Sequence, residues 1–305
     1  MGKYVLRRLL LSVPVIVGVS IVAFLVMHLT PGDPAQLLAG PDAGIEDIQL
    51  IRERFGLDKP LPVQYWQFIQ GVFDGSLESM KYEVPAIELI GKRLKNTARL
   101  AGLALLFAVV LGVVAGILSA VKRYSWIDYL STSVALIGVS MPAFWMAIML
   151  VMLFAVELRW LPAAGMGTWK HVIMPAVVLG TSSAGLIARM TRSTMMDVLR
   201  QDYITTARAK GVWERTVIYS HALRNAMIPT VTVIGMRIGS MLTGAVLTES
   251  VFAWPGVGRL LVDSILGRDY PIVQATMLVI ALIYVGANLL VDVLYAYLDP
   301  RIRYE

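Results

Sequence analysis

Two groups of residues in this chain are of the right type and spacing to do chemistry. Arg237 stands about nine residues inside an apolar run at 227–250, and Asp292 lies near the end of another at 274–298. Nine residues of helix carry Arg237 roughly 14 Å from the boundary, close to mid-bilayer if the run spans a membrane. A lone arginine facing lipid there costs at least about 2.5–3.5 kcal/mol on insertion scales. Either Arg237 is buried in a helix bundle and paired, with Asp292 as partner, or it lines a translocation pathway where it meets a carboxylate. Gly235, Gly239 and Gly244 on the same run leave room for close packing or for a cavity. The second group is the stretch Asp202-Tyr203-Ile204-Thr205-Thr206-Ala207-Arg208-Ala209-Lys210-Gly211. Asp202 suits a helix N-cap, Tyr203 to Lys210 gives two turns, and Lys210 sets a cation at the negative end of the dipole. Gly211 suits the left-handed residue that ends a helix. So short a helix is not stable alone and must be held. Its small face, Thr206, Ala207 and Ala209, suits close approach to a groove in a partner; an ordinary basic loop with a capped turn is the alternative.

Enzyme chemistry is not written in the chain. There is no Gly-x-x-x-x-Gly-Lys-Ser/Thr loop, so ATP is not bound through a P-loop, and there is no His-Glu-x-x-His pair or Gly-x-Ser-x-Gly turn. The absence of cysteine excludes disulfides, zinc–thiolate sites, iron–sulfur clusters and a thiol nucleophile. His28, His171 and His221 are far apart in sequence, and no metal site is expected from them. Carboxylates within apolar runs, the usual mark of ion coupling, are sparse, which counts against a secondary carrier working alone.

The elements that position these residues are membrane helices. The 305 residues carry 27 Lys+Arg and 21 Asp+Glu, only 16% charged against 57% hydrophobic, with a mean hydropathy of +0.69. A soluble chain of this length would carry roughly 28 more charges. The net charge of +6 needs no nucleic acid, because cations retained at the inner face of a membrane account for it. Apolar runs at 9–29, 99–121, 129–156, 172–188, 227–250 and 274–298 predict six spans, the fourth short and continuing as helix beyond Arg189. The first is preceded by Lys3, Arg7 and Arg8 and is not followed by a small-x-small cleavage site, so a retained span is expected. Lys122 and Arg123 in one short loop, seven cations in 189–226, and Arg301 and Arg303 in the tail all fall on alternate connections with the N-terminus. The opposite short loops hold only Arg159 with Lys170 and Arg259 with Arg268. Both termini and 189–226 are therefore expected in the cytoplasm.

The long outer segment reads as small helices. Ile45, Ile48, Ile51 and Phe55 recur at helical spacing before Gly56, and Pro60 and Pro62 precede an aromatic cluster of Tyr65, Trp66, Phe68 and Phe73. These aromatics suit a lid at the headgroup level, with substrate contact as the alternative.

The 202–211 stretch resembles the coupling loop of permeases of binding-protein-dependent ABC importers, in which Glu-Ala-Ala-x3-Gly precedes Ile-x-Leu-Pro. Aligned on Gly211, Thr205-Thr206-Ala207 take the Glu-Ala-Ala positions and Leu223-Arg224 take Leu-Pro. These departures are typical of the peptide/nickel branch, which "DYITTARAKG" and "HALRNAMIPTVTVIG" resemble. The same branch is similar at "TPGDPA", "GLDKPLPVQYWQFI", "GVSMPAFW", "WLPAAGMGTW", "FAWPGVGR", "RDYPIVQ" and "NLLVDVLYAYLDPRI", so the resemblance covers essentially the whole chain. It implies an all-α membrane protein of six transmembrane helices with the type I ABC importer permease fold and a helical extracytoplasmic segment between helices 1 and 2. It divides the chain into 1–97, the first helix with the outer segment, and 98–305, the permease core with coupling loop 189–226. It further implies a multi-pass subunit of the bacterial inner membrane without an ATPase site or cofactor of its own. Its partners would be a second homologous permease, two cytosolic subunits that bind ATP and magnesium, and an extracytoplasmic solute-binding protein. ATPase coupling would fall to Asp202, Tyr203, Thr205, Thr206, Ala207, Arg208, Lys210 and Gly211, and the pathway to Arg237 and Asp292. The substrate implied is a short peptide, with nickel, a metal chelate or glutathione as the alternatives.

Overall fold

The structure is a computed structural model and describes residues 2–29, 32–39 and 43–298; the basic tail with Arg301 and Arg303 lies outside them, as does the side chain of Asp292. The described residues are mostly helical and form no strand beyond one isolated antiparallel bridge between Glu78 and Pro85. Helix α1 (Gly2–Leu29) leads through short α2 (Pro34–Ala39), α3 (Ile45–Arg54) and α4 (Leu61–Asp74) to the long α5 (Ala86–Val121). Then come α6 (Trp126–Ser140), α7 (Ala143–Leu150) with a π-helical continuation (Val151–Glu157), and α8 (Ile173–Leu199). Next, α9 (Asp202–Ala209) precedes a continuous rod built from α10 (Glu214–Thr216), a π-helical stretch (Val217–Ala222) and α11 (Leu223–Val251); α12 (Val257–Leu266) and α13 (Tyr270–Leu298) complete the order.

Among the described residues five helices are long and apolar enough to cross a membrane, Arg7–Leu29, Ala86–Val121, Trp169–Leu199, Glu214–Val251 and Tyr270–Val291, or six if the bent pair Trp126–Ser140 and Ala143–Glu157 is one span. The expected third span, 129–156, falls on that pair, apolar enough to cross when taken together but bent by 109° between Ser140 and Ala143. The cause is Pro142, which lacks an N–H and pushes Met141 into extended backbone at ψ 127°. The fourth span does continue past Arg189, as helix to Leu199. The second begins 13 residues before its apolar run, at Ala86, because leaving the hydrocarbon does not oblige a helix to end.

The chain divides into two compact units. The first holds 98–254 and the described residues from 286. Here α8 is the central element, approached closely by both neighbours at small residues, which give membrane helices their closest contacts. A Cβ at Gly116 of α5 would lie 2.5 Å from Thr191, and one at Gly185 of α8 would lie 2.5 Å from the Ala135 carbonyl of α6. Gly235 of α11 likewise packs against Val291 of α13.

The second unit holds 2–97 and 255–285. Tyr65 and Phe68 of α4 are spent on α1: the Tyr65 hydroxyl meets Ser20 Oγ at 2.7 Å, and the Phe24 ring contacts both aromatics. Trp66 and Phe73 face outward. Buried Asp269 accepts the Ser79 hydroxyl and the backbone N–H of Met80 at 3.1 Å, which fastens the turn before α5 to the start of α13. The "RDYP" and "WPGVG" motifs are thus structural joints; at the latter, Val257 N–H donates to Thr97 Oγ1 at 2.9 Å and Asn96 to the Pro255 carbonyl at 2.8 Å.

Candidate functional site

The two turns expected after Asp202 form α9. Its N-cap is Gln201, one residue earlier than the sequence suggests: the Gln201 carbonyl accepts N–H groups from Ile204 and Thr205, and Asp202 lies in the first turn. A carboxylate there still favours the positive end of the helix. At the other end, Gly211 N–H donates to the Arg208 carbonyl at 2.9 Å and Val212 N–H to the Ala207 carbonyl at 3.2 Å. This is the paired closure of a Schellman motif, and it needs the left-handed backbone that Gly211 adopts at φ +76°. Nothing lies within 4 Å of where a Gly211 Cβ would stand, so the demand for glycine is conformational rather than steric.

What holds so short a helix is the rest of its own unit. Ile204 and Ala207 are buried in a cluster with Ile117 and Ala120 of α5, Met195 and Val198 of α8, and Val217, Ile218, Ala222 and Ala226 of the following rod. Ala207 was expected on the face offered to a partner. It points inward instead, because residues three apart share a helix face and Ile204 fixes which face is apolar. The outward side carries Thr205, Thr206, Arg208, Ala209 and Lys210.

Polar ties complete the anchorage. Asn225 Nδ2 donates to the Tyr203 hydroxyl at 2.7 Å, and that hydroxyl donates to the His221 carbonyl at 3.4 Å. Arg208 grips Glu214 with Nε at 3.0 Å and Nη2 at 2.6 Å, bridging the turn at Gly211. The hydrogen bonds to Glu214 raise the Arg208 guanidinium above its ordinary range. The pair is exposed and contributes about 0.2–1 kcal/mol, enough to bias a turn but not to fold it.

Beside this anchorage lies a joint that sequence reasoning missed. Asp128 is 2% exposed and receives Arg192 Nε at 2.8 Å, Arg192 Nη2 at 2.9 Å, the Ser119 hydroxyl and the Tyr124 backbone N–H at 3.0 Å. It locks α5, α6 and α8 together next to the cluster that holds α9, since Ser119 adjoins Ala120 and Arg192 lies three residues before Met195. The available signal was an aspartate opening an apolar run.

Arg237 and the coupling residues are not brought into one site. Arg237 is partly buried, and its Nε is buried without a hydrogen-bond partner among the described residues. The expected pairing with Asp292 falls on a side chain outside those residues. His28 binds Gln64, His171 binds Thr168, and His221 offers its carbonyl to Tyr203, so the three histidines serve separate turns. Among the described residues no group of three His, Asp or Glu stands together to hold a metal.

The comparisons with known proteins fit this geometry. Residues 112–304 match the family model for the binding-protein-dependent transport system inner membrane component, and residues 1–102 match the model of its N-terminal part. The chain is 46% identical over 333 residues to a dipeptide transport system permease protein of Alkalihalophilus pseudofirmus, covering 100% of both chains. It is equally 46% identical over 306 residues to a glutathione transport system permease protein of Escherichia coli, again covering 100% of both. A crystal structure of an amino acid ABC transporter with histidines shares the fold at a TM-score of 0.54 and 14% identity, covering 69% of this chain and 94% of that one. The chain belongs to the family of inner membrane permease components of binding-protein-dependent transport systems.

Proposed function

We propose that this subunit forms, with a second homologous permease, the translocation pathway of an ATP-driven importer for short peptides delivered by a solute-binding protein. The observation that carries the substrate class is the full-length similarity to permeases of dipeptide and glutathione systems. Both named solutes are small, peptide-like and carboxylate-bearing. In this reading two separate cytosolic subunits bind and hydrolyse ATP, and the present chain contributes no catalytic group or cofactor. Its part is mechanical: a displacement of α9 is passed to α5, α8 and α11 through the buried cluster around Ile204. Rigid-body transmission of this kind asks for packed contacts rather than reactive side chains. Both termini and 189–226 face the cytoplasm, supported by the bias of cations among the short loops. Impermeant labelling of a cysteine at Gln64 from outside the intact cell checks that orientation; labelling only from the cytoplasmic side contradicts it.

The experiment for the substrate uses the assembled importer in proteoliposomes with its binding protein enclosed. Dipeptides, longer peptides, glutathione and nickel chelates are compared as stimulants of ATP hydrolysis and uptake. Short peptides are expected to raise both. Stimulation by a nickel chelate alone, or uptake by this chain without ATP and partners, overturns the reading.

A further inference from the structure

A groove of about 210 Å³ runs between α5, α6 and α8 in the first unit, and its chemistry changes from end to end. Ala115, Ala135, Val139 and Gly185 make an apolar inner wall, while Arg189 and Arg192 stand at one end. The seven residues from Gly185 to Arg192 put those ends roughly 10 Å apart along the helix. Arg192 spends Nε and Nη2 on Asp128, which leaves Nη1 without a partner among the described residues. Arg189 is exposed and makes no ion pair or hydrogen bond among them.

The level of the basic end follows from its neighbours. Arg192 is tied to Asp128, three residues from the polar turn Lys122–Ser125 that joins α5 to α6, so Arg192 stands close to the membrane interface. Arg189 lies about one helical turn deeper, within reach of that interface for a long snorkelling side chain. An uncompensated cation at this depth calls for an anion from outside the chain. The hydroxyls of Ser119, Ser131 and Thr132 also line the groove, while the stretch along Ala115, Ala135, Val139 and Gly185 offers water nothing to bond and suits an apolar chain. A phosphate above an apolar slot satisfies both ends at once.

We infer that this groove binds an anionic phospholipid, with the headgroup phosphate held by Arg189 and the free Nη1 of Arg192 and an acyl chain along α5, α6 and α8. Occupancy would brace the Asp128–Arg192 joint and, through it, the ends of the helices that carry α9. The leaflet is the cytoplasmic one under the proposed orientation, where anionic lipids gather.

The test takes the assembled importer into nanodiscs of phosphatidylcholine with or without phosphatidylglycerol. Lipid retained on release into the mass spectrometer and the melting temperature are both recorded. The wild type should retain phosphatidylglycerol selectively and melt higher in its presence. Arg189→Gln should lower that retention by about tenfold, as expected for one lost charge-assisted phosphate contact. Ala115→Phe, which fills the slot and leaves both arginines, should lower it too, whereas Arg189→Lys should keep most of it. Equal retention of the two lipids by the wild type, or retention unchanged in both Arg189→Gln and Ala115→Phe, overturns the proposal. So does a melting shift that inorganic phosphate reproduces in phosphatidylcholine discs.

Discussion

The amide of Asn225 donates to the Tyr203 hydroxyl at 2.7 Å, tying the first turn of α9 to the first turn of α11. Twenty-two residues separate the two in sequence, and this bond adds a polar tie to the buried cluster that holds the short helix against the rod that follows it. If α9 receives force from an ATPase, this bond is one of the places where the force enters the membrane helices. Tyr203→Phe removes it with little change of volume. A single hydrogen bond is worth about 0.5–1.5 kcal/mol, so amide exchange in 202–210 should quicken by about 2–10-fold. Uptake per ATP hydrolysed should fall while expression holds.

Gly211 separates backbone conformation from packing. Gly211→Val meets no steric obstacle but must hold a β-branched residue at φ +76°, at a cost of about 1–3 kcal/mol. Substrate-stimulated ATP hydrolysis and uptake should fall together in an assembled complex. Gly211→Asn, which tolerates the left-handed region, should keep most of both. Normal transport by the valine variant would show that the turn has no part in coupling.

Much of this was legible in the sequence because it depends on local signals. Capping chemistry and a C-terminal glycine mark α9 to within one residue, and hydrophobic runs mark the spans. What escaped was set by tertiary contact. Ala207 looks like an exposed small residue until Ile204 is seen to be buried, and Asp128 looks like a loop charge until Arg192, 64 residues later, arrives beside it. The bend after Ser140 was readable from Pro142, but a continuous apolar run outweighed a single proline. The tie between Asp269 and Ser79 could not be read from local signals, since it spans 190 residues.

The Asp128–Arg192 pair predicts an asymmetry between breaking and replacing it. Asp128→Ala leaves a partly buried arginine facing no carboxylate and should destabilise the subunit by about 1–3 kcal/mol, read as loss of folded complex in a detergent melt. Arg192→Lys should also be costly, because a lysine cannot make the two parallel bonds. Melting temperatures within a degree of wild type for both variants would contradict the buried-joint assignment.

Arg237 distinguishes a pathway from a buried pair. Under the pathway proposal, Arg237→Glu assembles, keeps its ATPase and loses or changes uptake of peptides with a free carboxylate. Under pairing with Asp292, the same variant destabilises the complex and Asp292→Lys partly restores it. Normal uptake of every tested peptide by a well-assembled Arg237→Glu importer would remove Arg237 from the pathway.

The most direct test of the account asks which face of α9 meets the ATPase. The chain has no cysteine, so single cysteines can be placed at Thr206 and Ala209 on the outward side and at Ile204 and Ala207 on the buried side. Cross-linking to a cysteine in the ATPase subunit is then measured with and without nucleotide in the assembled importer. The account predicts nucleotide-sensitive cross-links from Thr206 and Ala209 and none from Ile204 or Ala207. Cross-links from the buried pair, or none from the outward pair in a complex that transports, would contradict it.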